Sequence, residues 1–167
     1  MENIIEKVRE ALIKSADEKT REMSQRFFKE MIKTHGVKAA GVHKISKEFF
    51  KQIMHKPKPE ILGFCEKLWQ SGYLEESLIA CNWSYFIRKQ YQPDDFQIFE
   101  KWISSYVNNW ASCDTLCNHT VGTFIEMYPN YIFKLKEFTA SENRWLLRAA
   151  AVSLIVPAKK GNFLKDI

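Results

Sequence analysis

Residues 66–77, EKLWQSGYLEES, and 100–112, EKWISSYVNNWAS, set a Glu-Lys pair and a tryptophan at matching points of two helical stretches. The offset is 34 residues for the Glu-Lys pair and 33 for the tryptophans, Trp69 and Trp102. Each stretch is followed by a short turn and a second helical stretch. A helix pair of this kind cannot bury its own apolar face, so recurrence at a fixed period points to pairs stacked on one another, an α-solenoid. An irregular helical bundle with a chance match is the alternative. The remaining pattern agrees with an all-α chain: helical periodicity runs over about 2–15, 18–34, 43–55, 59–71, 75–90, 94–108, 112–128 and 141–156. Strand signal is nearly absent, and breaks fall at Gly36, Gly41, Gly72 and the Pro57/Pro59 pair.

With 167 residues, 46% of them hydrophobic, the chain can build one sizeable core and is short for two. A single domain follows. Charges begin at Glu2 and continue through Glu6, Lys7, Arg9 and Glu10, which leaves no secretory apolar segment. No apolar run approaches the ~18 residues of a membrane span. A soluble, cytoplasmic protein is therefore expected, without a membrane partner. Cys65, Cys81, Cys113 and Cys117 are too few and too uneven for a secreted disulfide framework, and free thiols are expected.

The net charge of +5 is unevenly spread: both ends are basic and the middle is acidic. Between residues 33 and 58, Lys33, Lys38, Lys44, Lys47, Lys51, Lys56 and Lys58 face only Glu48. Such a cluster suits phosphates. A solvated lysine-rich face is the commoner meaning of a charge run.

The stretch WASCDTLCNH, residues 110–119, concentrates chemistry-bearing side chains. Ser112 can cap a helix through it, on which Cys113, Leu116, Cys117, Val121, Phe124 and Tyr128 form an apolar stripe. The cysteines then belong to the core. A metal site would need further ligands around the Cys-x3-Cys pair, and His119 points away from the stripe, so no metal and no cofactor are expected. Trp110 and Asp114 lie one turn apart beside the stripe. Asp114 can serve the helix dipole or cap amides, or it can do chemistry beside an aromatic wall.

In TASENRWLLRAAAVSLIV, residues 139–156, Thr139 and Glu142 form a capping-box pattern ahead of a helix that is apolar on nearly every side. Arg148 interrupts it. A guanidinium there must be paired or line a cleft whose charged partner comes from outside. If adjacent repeats carry the two helices, Asp114 and Arg148, 34 residues apart, occupy nearly equivalent places. Either a buried ion pair between repeats or a functional pair with Trp110 on a concave surface results.

Trp110-x3-Asp114, Pro129-Asn130-Tyr131 and RWLLRAAAV at 144–152 resemble the DNA alkylation repair glycosylases of the AlkD type. The segment RFFKEMIKTHGVKAAGVHKI, with its aromatic-x-Lys motif at Phe27 and Lys29, is similar to that family's opening segment. The likeness runs from about residue 20 to 156. It implies an α-α superhelix of HEAT-like repeats over residues 1–167, a single domain cut short at its C-terminus and expected to be monomeric, whose concave face cradles duplex DNA. The implied activity is hydrolysis of the N-glycosidic bond of cationic N3- and N7-alkylated purines. In that reading Asp114 and Trp110 are catalytic, and Arg148, Phe27, Lys29, Lys44, Lys47 and Lys51 bind DNA.

An alkylated purine is cationic and already a good leaving group. The enzyme must chiefly stabilise an oxocarbenium-like sugar and position water, which a carboxylate can do. Trp110 would offer an electron-rich face to the cation, and Arg148 would hold a backbone phosphate and orient Asp114. At Phe27 the family typically has tyrosine, and the chain stops at Ile167 before the further repeats, with a second tryptophan, that the family usually carries. The reading of a different class is a non-catalytic HEAT-like module that binds nucleic acid or protein.

Overall fold

The structure is a computed structural model that describes residues 3–166. It is all-α, and among these residues the only strand-like pairing is a single bridge between Lys33 and Tyr73. The chain divides into two compact units, one up to Phe86 and the other from Ile87 onward.

The first unit contains α1 (Ile4–Lys14), α2 (Glu18–Phe27), α3 (Ala39–Ile53), α4 (Lys58–Gln70) and α5 (Leu74–Phe86). α4 and α5 form a helical hairpin, turned at Gly72 with φ 73°, while α3 packs on α5 and α1 packs on α3 and α4. Trp69 and Trp83 lie fully inside with Val8, Leu12, Ile61 and Leu68. The Trp83 Nε1–H donates to the Ser46 carbonyl at 2.9 Å, so the largest side chain of α5 is buried without an orphan donor.

The expected helix over 18–34 ends at Phe27 instead. Residues 35–37 turn their backbone N–H groups onto the buried carboxylate of Glu75. His35 N–H donates to Glu75 Oε2 at 2.9 Å, and Gly36 and Val37 N–H donate to Oε1 at 2.9 and 3.1 Å. The Thr34 hydroxyl adds a fourth donor at 2.6 Å. A helix through this region would have spent those donors on its own carbonyls. Gly36, at φ 85°, closes the turn; a Cβ there would meet Asp17 O at 2.7 Å and Arg21 Cβ at 2.8 Å. α3 in turn starts at Ala39, earlier than the periodicity suggests.

The adjoining Glu76 is also buried. It accepts from Arg9 Nε at 3.0 Å and faces His35 Nε2 at 3.2 Å, and the His35 ring stacks on Tyr73 with centroids 4.1 Å apart. Burial pushes this carboxyl up, but the hydrogen bonds from His35 and Arg9 outweigh it and hold it below the usual glutamate value.

The second unit contains α6 (Asp95–Ser105), α7 (Trp110–Thr115), π-helical turns at Leu116–Val121, α8 (Gly122–Met127), α9 (Ile132–Phe138), α10 (Arg144–Val152) and α11 (Ile155–Lys159). Its core is aromatic: the Phe124 ring lies 5.5, 5.9 and 5.1 Å from those of Phe96, Phe99 and Tyr131. The Tyr128 hydroxyl donates to Tyr91 O at 2.8 Å. α10 packs against α6, α7 and α9.

Two expectations for residues 139–156 change here. Thr139 closes α9, its hydroxyl donating to Lys136 O at 2.6 Å, and the cap of α10 is Asn143, which accepts from Trp145 N–H at 2.9 Å. The helix also breaks at Ser153, four residues before Pro157, which has no N–H to give the Ser153 carbonyl. The chain resumes as the short α11.

Because the Glu76 carboxyl is held low in the fold, its contribution to stability is present above the unfolded glutamate value and lost as pH falls through the lowered folded value. Stability of the wild type should therefore decline on acidification below about pH 4.5. Glu76→Gln should start from a lower plateau at pH 7 and show a shallower acid limb. Urea titrations at several pH values check this, and parallel acid limbs would rule it out.

Candidate functional site

The helix that carries Trp110 and Asp114 starts two residues earlier than expected. Asn109, almost fully buried, is its cap: its side chain accepts from Ser112 N–H at 2.9 Å and donates to Asn108 Oδ1 at 2.8 Å. Ser112, which the sequence suggests as the cap, is buried inside the first turn and donates to Asn109 O. Trp110 is thus the first helical residue, with 37% of its surface exposed, and Asp114 follows one turn later on the same face.

Beyond Asp114 the helix widens. Gly122 N–H reaches back five residues to Cys117 O, a π-type bond. The buried side chains are Cys113, Cys117, Val121 and Ile125 along one row and Leu116, Thr120 and Phe124 along the next, each row at a spacing of four. In an uninterrupted α-helix such a row would rotate by about 40° per step and leave the core within three steps. The wider turns cancel that rotation. All four cysteines are free and buried, so Cys113 and Cys117 are core residues, and His119 lies on the exposed side. Among the described residues no group of three or more His, Cys, Asp or Glu is placed to hold a metal.

α8 comes close to the broken end of α10 at Gly122. A Cβ at this position would lie 2.9 Å from Ser153 O and 3.1 Å from Cys117 O, both backbone atoms.

α10 brings Arg148 onto Asp114. Arg148 Nε donates to Oδ1 at 2.6 Å and Nη2 to Oδ2 at 2.7 Å, a bidentate pair. The pair is not buried: the side chains are 42% and 24% exposed. The Asp114 hydrogen bond raises the Arg148 pKa further, against a smaller opposing effect of burial. One turn before Arg148, the Arg144 guanidinium lies over the Trp145 ring at 4.3 Å from its centroid. A second ion pair repeats the 34-residue offset, Lys160 Nζ to Glu126 Oε2 at 2.9 Å.

The other expected contacts lie in the first unit. Phe27 is the last residue of α2, 70% exposed, with its ring edge-on to Phe28 at 5.6 Å. Exposed Lys29 follows it. Lys44, Lys47 and Lys51 are exposed on α3 within an arc of about 60°, turned away from buried Val42, Ile45 and Ile53. Sequence reasoning passed over Arg144, whose signal was its place one turn before Arg148, and over Glu75, whose partners lie 38 to 41 residues away.

The second unit thus sets a partly exposed carboxylate–guanidinium pair one turn from a tryptophan. A family model described as DNA alkylation repair enzyme matches residues 8–167. The chain belongs to this family, and its role lies in DNA alkylation repair. No curated protein matches it. Among the described residues no helix is long and apolar enough to cross a membrane.

Gly122→Ala should destabilise the protein by about 1–3 kcal/mol, since neither backbone oxygen can give way cheaply. Gly63→Ala on α4, where a Cβ meets nothing within 4 Å, should be neutral or stabilising by up to about 1 kcal/mol. Paired denaturation curves test the contrast, and equal effects would contradict the close approach.

Proposed function

We propose that this protein is a DNA glycosylase that releases cationic N3- and N7-alkylated purines from duplex DNA. The observation that carries the reading is the partly exposed bidentate Asp114–Arg148 pair with Trp110 one turn from Asp114 on the same helix. Family membership supports it.

In the proposed reaction the C1′–N bond of the damaged nucleotide lengthens, and its electron pair returns to the purine nitrogen, neutralising the base. Positive charge moves to C1′ and the ring oxygen. Asp114 faces that charge and accepts a hydrogen bond from the water that attacks C1′, whose proton then passes to the carboxylate or to solvent. Trp110 gives the cationic base or the polarised sugar C–H bonds an aromatic face, worth about 0.5–2 kcal/mol depending on solvation. Arg148 spends two of its donors on Asp114 and turns the others to a backbone phosphate. Because the leaving group is already charged, no strong general acid is required.

Phe27, Lys29 and the α3 lysines supply sequence-independent contact to the strand backbone in this reading. Phe27 retains the stacking surface of the family's tyrosine and lacks its hydroxyl. Binding with no excision would favour the non-catalytic helical-repeat module.

Asp114→Asn decides between these. The change should leave duplex affinity within about threefold and reduce release of 7-methylguanine by about 10²-fold or more. With both side chains partly exposed, the stability loss should stay below about 2 kcal/mol, less than the 3–5 kcal/mol of a fully buried pair. A fully active Asp114→Asn protein would remove the catalytic assignment. Independently, neutralising Lys44, Lys47 and Lys51 together should weaken binding to all duplex sequences alike and lower the log–log salt slope by up to about 2.7, at roughly 0.9 per phosphate contact. An unchanged slope would place the DNA elsewhere.

A further inference from the structure

We propose that a groove on the second unit, between α9 and the α10–α11 segment, docks an amphipathic helix of a partner protein, one whose apolar stripe is flanked by acidic residues. The groove lies apart from Asp114 and Trp110, and its role does not depend on the glycosylase reading.

Its shape follows from the sequence. Ile132, Leu135 and Thr139, along α9 and its C-terminal cap, and Leu147, Ala150 and Leu154, along α10 and the turn after it, line a cavity of about 410 Å³. Each set has the offsets of zero, three and seven residues, so each wall is one face of two helical turns, roughly 10 Å long. Residues 149–151 are all alanine. Ala150 and Ala151 both line the groove, so between Leu147 and Leu154 α10 turns only methyl groups into it. The missing volume is what the side chains of a third helix would fill. An amphipathic helix brings its anchors at i, i+3 or i+4, and i+7, over the same two turns.

The apolar surface continues past the cavity. Leu147 and Ile155 are 42% and 43% exposed, in a wall that a compact ligand on the groove floor would leave in water and a helix lying along it would cover.

Charge selects the occupant. Lys136 and Asp166 both line the groove and bond each other at 2.7 Å, and Lys160 is engaged by Glu126. Glu137, the other acid of α9, is held by Lys134. Lys159 and Lys165 are exposed and make no ion pair among the described residues. Lys159 follows Ile155 by one turn in the same row, and Lys165 adjoins Asp166, so both ammonium groups flank the groove. Aspartates or glutamates beside an incoming apolar stripe would meet them. A second copy of this chain, with its net charge of +5, would bring the same lysines against them.

The test measures binding of fluorescein-labelled, acetylated and amidated peptides to the whole chain by fluorescence anisotropy. The first peptide is a helix of about five turns with leucines in one i, i+4, i+7 stripe and glutamates on both sides of it. The second has lysine for every glutamate. The third has the composition of the first, reordered so that no stripe forms. The first should bind with a Kd of roughly 10–100 μM, and the other two at least about tenfold more weakly. Ala151→Trp fills the groove from an exposed position and should weaken the first peptide by about tenfold or more. Lys159→Glu with Lys165→Glu should weaken it by about 5- to 10-fold at low salt and by less at high salt. Melting curves of both variants should stay near wild type, because all three positions are exposed.

Equal binding of the three peptides, or no binding of the first, would overturn the proposal. So would wild-type affinity for the first peptide in Ala151→Trp or in the double lysine variant. Self-association of the wild type in sedimentation that Ala151→Trp abolishes would assign the groove to a second copy and overturn it as well.

Discussion

Everything the site needs from the second unit depends on keeping one face of residues 110–127 in the core for its whole length. Seven side chains, from Cys113 to Ile125, must point inward in rows spaced by four, while Trp110 and Asp114 at the same helix's entrance point outward. A regular α-helix keeps residues at spacings of three and four on one broad face, but each four-spaced row drifts across that face by about 40° per step. The π-helical turns at Leu116–Val121 take up the rotation, and the buried rows stay aligned. The strain of poorer hydrogen-bond geometry is met by burial of Leu116, Val121 and Phe124. The first turn is then free to be set by its cap at Asn109, not by core packing.

The four-residue spacing was present in the sequence as Cys113, Cys117, Val121 and Ile125, alongside Leu116, Thr120 and Phe124. Thr120 hides it, since a polar residue inside an apolar row reads as an edge. The 34-residue spacing of Asp114 and Arg148 was legible for a simpler reason: equivalent points on neighbouring helices meet whatever the detailed packing, and here they meet at hydrogen-bond distance. The end of α2 was not legible. Beyond Phe27 the chain is not helical, and the amides of residues 35–37 with the Thr34 hydroxyl go to a carboxylate 38 to 41 residues later. Non-local capture of backbone donors leaves no periodic trace. The caps of α7 and α10 were misplaced by a few residues because Ser112 and Thr139 have the right chemistry, and the asparagines at 109 and 143 have it too, with better geometry.

Two acid–base clusters in this chain answer to different demands. Glu75 and Glu76 are buried to within 2% of their surface and bonded to backbone amides, Thr34, His35 and Arg9, where ionic groups serve to fix a segment that has no periodic structure of its own. Asp114 and Arg148 are bidentate yet partly exposed, so solvent screens part of their attraction. In the proposed function such a pair is a preorganised site, its geometry set before the substrate arrives.

In the proposed reaction that geometry resolves two opposing requirements. A carboxylate that is to stabilise a developing cation acts most strongly when shielded from water, yet it must be open to a duplex that cannot enter a deep cavity. Full burial would cost the charge its hydration and deny access, and full exposure would let the side chain rotate and the solvent screen it. Asp114 sits between the two, about three-quarters covered, with Arg148 fixing both oxygens and the first turn of α7 fixing the backbone. The DNA itself would complete the enclosure. A phosphate on Arg148 draws charge away from the arginine side of the pair and leaves the carboxylate's own charge less compensated at the moment the sugar becomes cationic. Substrate binding would thus strengthen the one interaction that differs between ground state and transition state, which is the only kind that raises turnover.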